Sequence, residues 1–360
     1  MPKPVSGRGF NNVLQENLVL SYLALKLDRA FVFEDYVWSH SPLPWTIHDF
    51  ALRPSRMPMN AFISGPSAGG PMSAPRAVSA EFWHSVCPRS KTKVISSADQ
   101  PDNVEGVVLL DWWIARLESL ADMCIEIDSE KKTIFDFMLF GDTRVLSLWP
   151  GLSKSPIYAD FEWSSLVQSA VNANLPVIHP AAVKAGAPHS TLPGLVAVHL
   201  RRGDFKGHCK YLIRWNAQYM GFNRFPEMLD KFDTSRDRPA ELLRQYYMQH
   251  CMPEVDQIVE RLRTVRMANP GLNRVYALTN GKASWISELK SALSNDGWVD
   301  VKSSLDLRLD CAQRHVSMAV DMAIAEKAEV FVGNGFSSLT SNVLTLRLAK
   351  GSRMSANRLL

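Results

Sequence analysis

The sequence predicts an α/β protein built from two Rossmann-like halves facing across a cleft. Three observations lead there. A length of 360 residues suggests two domains rather than one. Short apolar strands alternate with helical periodicity through the second half, the pattern of parallel βαβ units. A sparser alternation of the same kind runs through the first half, and no repeat of fixed period competes with it.

Composition narrows the class. Hydrophobic residues at 46% and charged residues at 21% are ordinary for a soluble globular chain. The formal charge, 40 − 36 = +4, suits a pocket for an anionic ligand but no nucleic-acid surface, and no long Lys/Arg block occurs. No apolar run reaches the roughly 18 residues of a membrane span, and Met1-Pro2-Lys3-Pro4 opens no signal-peptide core. Cys87, Cys124, Cys209, Cys251 and Cys311 form no C-x-x-C pair, so a zinc site is not expected. Their odd number leaves at least one thiol unpaired, and their usage alone leaves the redox compartment open.

In the first half, Val13, Leu14, Leu18, Leu20, Leu23 and Leu27 stand at helical spacing over residues 12–27. Arg29–Phe33 then reads as a buried strand. The loop Gly7-Arg8-Gly9-Phe10-Asn11-Asn12 precedes the helix, and on its own reads as an N-cap by Asn11 or Asn12. From Ser39 to Ser79 the pattern breaks into Pro, Gly and Ser, which predicts a long surface insertion, with an acceptor-binding lid as the alternative. Thr92–Ser96, Cys124–Ile127 and Ile134–Leu139 read as strands, and Phe161–Asn174 as a helix. The Pro/Ala/Gly-rich stretch 176–193 separates a domain over residues 1–185 from one over 186–360.

The second half reads as strands at Leu195–Leu200, Arg274–Thr279, Trp298–Lys302 and Glu329–Val332. Helices fall at Ala240–His250, Glu254–Met267, Ser284–Ser294, Cys311–Ala328 and Ser338–Leu348.

Two constellations carry chemistry. Leu195–Leu200 stops at Arg201-Arg202-Gly203-Asp204, and ligands of parallel sheets bind beyond the carboxyl ends of strands. Two arginines there offer planar donor forks for phosphate oxygens; a surface salt bridge is the plainer alternative. The second runs from Glu329 through Gly333-Asn334-Gly335 to Ser337-Ser338-Leu339-Thr340. Hydroxyls at a helix start either cap it or, with its dipole, bind an anion; the two are compatible.

Absences matter as well. There is no G-x-G-x-x-G fingerprint and no Walker-type loop. Gly65-Pro66-Ser67-Ala68-Gly69 matches G-x-S-x-G but lacks the strand-turn-helix setting of a nucleophile elbow. No Asp-x-Asp occurs, which fits a transferase that stabilises a leaving diphosphate with arginines and helix dipoles rather than a metal. The tryptophans, Trp38 and Trp45 among them, suit core packing more readily than sugar stacking.

Three blocks together resemble the GDP-fucose protein O-fucosyltransferase family, most of all a fungal branch of it. Gly7–Asn12 is similar to the family's N-terminal Gly-Arg-x-x-Asn loop. His199–Asp204 is similar to its central H-L-R-x-x-D block. Val320-Asp321 through Asn334 to Ser337-Ser338-Leu339-Thr340 is similar to its C-terminal block, and this last is the most specific, with many agreements at fixed spacing. The resemblance implies a GT-B fold, with GDP-fucose held by the C-terminal domain and no metal. It implies catalysis by Arg201, on the β-phosphate, and by Asn11 near the reacting centre. On the donor side it implies Arg8, Asn12, His199, Arg202, Asp204, Asp321, Ser337, Ser338 and Leu339. Among these, Asp204 and Asp321 serve guanine and ribose or brace that pocket, and His199 supports the strand end. Leu339 stands where the family commonly has phenylalanine, the 39–79 segment has no counterpart, and neither Glu16 nor Glu34 lies where some members place a base. The partners expected are GDP-fucose and a protein or glycan acceptor; the resemblance implies the secretory lumen (ER or Golgi), and the N-terminus, with no visible leader, leaves a cytoplasmic location as the alternative. A non-catalytic nucleotide-sugar or glycan binder on the same fold is the remaining alternative.

Overall fold

The structure, a computed structural model, describes residues 9–48, 51–180, 191–203, 205–234 and 239–360. Arg8 and Asp204 therefore lie outside the described residues, as does the expected boundary between 185 and 186. The chain divides into two compact units, Met1–Val167 and Gln168–Leu360.

The first unit opens with α1 (Phe10–Lys26), then β1 (Val32–Phe33), β2 (Tyr36–Val37), β3 (Trp45–His48), β4 (Ala51–Pro54) and β5 (Arg56–Met57). β6 (Val78–Ser79), α2 (Ala80–Val86), β7 (Thr92–Ser96), α3 (Gly106–Leu117) and β8 (Cys124–Asp128) follow, and then the short helices α4 (Phe137–Phe140), α5 (Trp149–Leu152) and α6 (Pro156–Ala159). α1 buries Phe10, Leu14 and Leu18, one face at the 3.6-residue period. Its N-cap is Gly9, with no side-chain cap bond, so the capping reading of Asn11 and Asn12 is corrected: both sit inside the first turn. Phe10 packs edge-on to Tyr36 and against Phe62, which roots the helix start in an aromatic cluster.

Among the described residues of this unit, the strands pair only in twos. β1 with β6 and β7 with β8 are parallel; β2 with β5 and β3 with β4 are antiparallel. The reason is visible in the residues. A central parallel strand is buried on both faces, whereas β7 carries Lys93 and β8 carries Glu126 and Asp128, and both strands are largely exposed or half-buried. The strand expected over Ile134–Leu139 is not one. Ile134 and Phe135 are buried in irregular chain, and Asp136 caps α4, its carboxylate accepting from Leu139 N at 2.8 Å. Nor is the Pro/Gly/Ser segment a surface loop throughout: Met59, Phe62, Ile63 and Ser67 are buried, and a Cβ on Gly70 would lie 2.5 Å from the Ser64 carbonyl.

α7 (Ser165–Ile178) leads into the second unit, which holds β9 (Leu192–Leu200), α8 (Phe205–Arg214), α9 (Ala240–Cys251), α10 (Val255–Ala268), β10 (Arg274–Thr279) and α11 (Ala283–Asn295). β11 (Asp300–Ser303), α12 (Cys311–His315), α13 (Ser317–Lys327), β12 (Ala328–Gly333), α14 (Ser338–Ala349) and β13 (Asn357–Leu359) complete it. The five strands form one sheet in the order β11-β10-β9-β12-β13, every pairing parallel. β9 is central because its residues are apolar on both faces, as burial on both sides demands. Val196, Val198, Val275, Ala277 and Val332 pack with Ile258 and Leu262 of α10 and Leu289 and Leu293 of α11. The helix expected over Cys311–Ala328 is two, broken at Val316, whose φ of −108° and ψ of 13° leave the helical range.

Candidate functional site

Chain order along the sheet reverses between β9 and β12. From β9 the chain moves one way to β10 and β11, then returns to β12 and β13 on the other side. At such a switch point the connections leave in opposite directions and open a crevice at the carboxyl ends of the strands. Two segments flank it: Arg201-Arg202-Gly203 after β9, and Asn334–Ser337 after β12.

The two arginines diverge, as successive residues of an extended chain do. Arg202 continues the face of Val196, Val198 and Leu200. It is 8% exposed, its guanidinium lies 4.0 Å from the ring centre of Trp285 on α11, and it donates to the Pro253 carbonyl. Its backbone N–H donates to Asn280 Oδ1 at 2.8 Å. Burial pushes Arg202 down to about 10, which leaves it charged at neutral pH. Arg201 is partly exposed, its guanidinium carbon 5.3 Å from the ring centre of Phe205. Gly203 turns the chain into α8 at a φ of +59°, the left-handed region that glycine occupies at little cost.

His199 is buried, and its Nδ1 lies 3.1 Å from Thr340 Oγ1. Burial, and then the Arg201 charge, push the imidazole down to about 3, so it is neutral. This contact joins β9 to the first turn of α14. Gly333 makes the approach possible, since a Cβ there would stand 2.1 Å from Thr340 Cγ2. Asn334 shapes the turn between them: its Oδ1 accepts from Phe336 N at 3.0 Å and its carbonyl from Ser337 N at 3.0 Å. Ser337 is the N-cap of α14, with Oγ accepting from Leu339 N at 3.3 Å. Ser338 and Leu339 form the first turn, where the helix dipole favours an anion. The structure thus brings Arg201, His199, Ser337, Ser338 and Leu339 to the ends of two neighbouring strands at the switch point, while Arg202 points into the packing beneath.

Asp321, on α13, is held by Tyr276 and Ser304. Its carboxylate accepts from Tyr276 Oη at 2.5 Å and from Ser304 Oγ at 2.9 Å. Burial outweighs these bonds and pushes the carboxyl up to about 7. Asn11 is buried and Asn12 partly buried in the first turn of α1, within the other unit. Among the described residues, no group of three or more His, Cys, Asp and Glu could hold a metal ion, and no helix is long and apolar enough to cross a membrane. Two disulfides form, Cys87–Cys124 and Cys209–Cys251, leaving the exposed Cys311 unpaired, in accord with the odd count.

Thr340 and Asn334 stand inside the C-terminal block, which is their signal in the sequence. Asn280, Pro253, Tyr276 and Ser304 come from elsewhere in the chain, and nothing local in the sequence marks them.

Residues 165–349 match the model of the family described as GDP-fucose protein O-fucosyltransferase. The crystal structure of POFUT1 in complex with GDP-fucose is similar to this chain with a TM-score of 0.61 at 16% identity, covering 99% of this chain and 96% of that one. POFUT1 in complex with GDP gives 0.56 at 15% identity, covering 98% and 95%. POFUT1 in its apo form gives 0.54 at 16% identity, covering 100% and 96%. No curated protein sequence matches the chain. At these identities the structures establish a shared α/β fold of GT-B type. The matched segment, which takes in β9, the whole switch-point crevice and α14, shows that the chain belongs to the GDP-fucose protein O-fucosyltransferase family and is a GDP-fucose-dependent glycosyltransferase.

Proposed function

We propose that the chain transfers fucose from GDP-fucose to a serine or threonine hydroxyl of a protein acceptor, inverting the anomeric carbon and requiring no metal ion. The observation that carries this reading is that Arg201 and the Ser337-capped start of α14 follow two neighbouring parallel strands, β9 and β12. Departure of GDP concentrates negative charge on the β-phosphate. A guanidinium and a helix N-terminus, both held before the reaction begins, stabilise that charge without reorganising. His199, neutral, keeps Thr340 and with it the helix start in place. Asp321, anchored by Tyr276 and Ser304, serves the nucleoside side, and Asp204 shares that role. Ser338 and Leu339 complete the donor site, with Arg202 as its buried brace. Asn11 acts in catalysis, Arg8 and Asn12 assist on the donor side, and the first unit handles the acceptor.

The secretory lumen is the compartment that fits, because two disulfides persist in oxidising surroundings. The test is Arg201→Ala assayed with labelled GDP-fucose and EDTA present. Loss of one such donor typically costs about 100- to 1000-fold in rate, with GDP-independent folding retained. A variant of near-parental activity overturns the Arg201 assignment, and strict metal dependence of the parent overturns the metal-free mechanism. Transfer to glycans but not polypeptides would reassign the acceptor, and GDP binding without hydrolysis or transfer would leave a binder rather than an enzyme.

A further inference from the structure

Between α9 and α10 lies a connection of three residues, Met252, Pro253 and Glu254, that belongs to neither edge of the crevice. Its backbone, together with the last residue of α9, nevertheless holds both edges. The Cys251 carbonyl accepts from Asn334 Nδ2 at 2.7 Å, and both residues are fully buried. The Pro253 carbonyl accepts from the Arg202 guanidinium. Asn334 in turn shapes the start of α14 through its bonds to Phe336 N and Ser337 N. The same connection is stapled from the other side. Cys251 is disulfide-bonded to Cys209, 42 residues away in sequence with Cα atoms 6.0 Å apart. Cys209 lies on α8, the helix into which Arg201–Gly203 lead. A closed circuit results: the loop after β9, α8, the disulfide, the connection, Asn334 and the turn after β12.

We propose that the Cys251–Pro253 segment, locked by the Cys209–Cys251 disulfide, is a positioning element of the donor-diphosphate site, and that Asn334 is the residue through which it acts. The proposal rests on the donor-site reading above. The sheet fixes where β9 and β12 end, but not the loops beyond them. The circuit ties those two loops to one another, so that Arg201 and the start of α14 are already in register when an anion arrives. Opening the circuit makes binding carry the ordering of the loops, and affinity falls accordingly.

A disulfide can also act only by restricting the unfolded chain, and the protein contains its own control for that effect. Cys87–Cys124 closes a similar span of 37 residues, and it packs with Trp83, Val32 and Val78 in the first unit. Full chains carrying Cys209→Ala/Cys251→Ala and Cys87→Ala/Cys124→Ala are to be compared by thermal unfolding and by calorimetric titration with GDP. Both should lose comparable stability. The first should bind GDP about tenfold more weakly than the parent, the second within about twofold of it. Parental GDP affinity in the first variant, or equal losses in both, overturns the proposal while leaving the donor site standing. Should the first variant fail to fold, Asn334→Ser decides with the disulfide intact. Serine keeps a turn-forming oxygen but cannot reach the Cys251 carbonyl, so the same tenfold loss is expected and parental binding overturns the proposal. A parent chain that binds no GDP removes the donor reading and this inference together.

Discussion

Replacing Gly333 by alanine would set a new carbon 2.1 Å from Thr340 Cγ2, 2.8 Å from its Oγ1 and 3.0 Å from its Cβ. Carbon atoms pack at about 3.5–4.0 Å, so the shortfall is about 1.5 Å, the helical rise of one residue. Thr340 is fully buried and bonded to His199, so rotating it away breaks that contact, and otherwise the start of α14 must shift. Overpacking of this kind costs about 1–3 kcal/mol. In a protein of 360 residues that lowers Tm by about 1–4 °C. GDP affinity should fall as well, because a helix dipole acts mainly through its first turn. Thermal unfolding and GDP titration read the two effects. Thr340→Ser removes Cγ2, the nearest of the three atoms, and keeps the hydroxyl and Cβ at 2.8 and 3.0 Å, so Gly333→Ala/Thr340→Ser should recover part of both losses. Parental Tm and GDP affinity in Gly333→Ala, or no recovery in the double variant, would refute the claim that this close approach sets the helix start.

The remaining predictions concern charges. The folded-state pKa of Asp321, about 7, lies above its ordinary 3.8. Its contribution to stability is therefore full below that ordinary value and is lost as pH rises through about 7. Asp321→Asn should flatten the decline in unfolding free energy between about pH 4 and 7, and an unchanged profile would contradict the burial of that carboxyl. Arg202→Lys should lose the Trp285 stacking and the guanidinium bond to the Pro253 carbonyl, costing about 1–2 kcal/mol in chemical denaturation; stability equal to the parent would count against it. Arg347, buried on α14, donates to the carbonyls of Ala325, Glu326, Ala328 and Glu329 and to Asn357 Oδ1. Arg347→Lys cannot satisfy that set and should cost about 2–4 kcal/mol, measured the same way, while a cost under 1 kcal/mol would show the set to be dispensable.

The second unit was legible because its signals are local. A short valine-rich run such as Val196–Leu200 has the length and composition of a strand buried on both faces, and the expected strand over Arg274–Thr279 matches β10 residue for residue. The start of α14 was legible for the same reason, since Ser337 caps within its own turn. The first unit was less so. Ile134 and Phe135 are as apolar as a strand, but Asp136 captures Leu139 N and turns the chain into α4. The buried turns near Gly65 and Gly70 depend on backbone from distant positions, such as the Asp160 carbonyl that would lie 2.8 Å from a Cβ on Gly65.

At the crevice itself, the sequence alone determined which residue types stand at the two strand ends and, through three spaced blocks, the family. It could not decide which arginine of the adjacent pair turns inward, because that follows from Trp285 and the Pro253 carbonyl, residues remote in sequence. It could not decide that His199 is neutral, since the imidazole's charge state depends on burial and on the nearby Arg201. Nor could it pair Cys209 with Cys251 and so bring the Cys251 carbonyl to Asn334. Local patterning is written in neighbouring residues. Orientation, protonation and cross-linking depend on what the folded sheet brings within a few ångströms, and only the tertiary structure carries that.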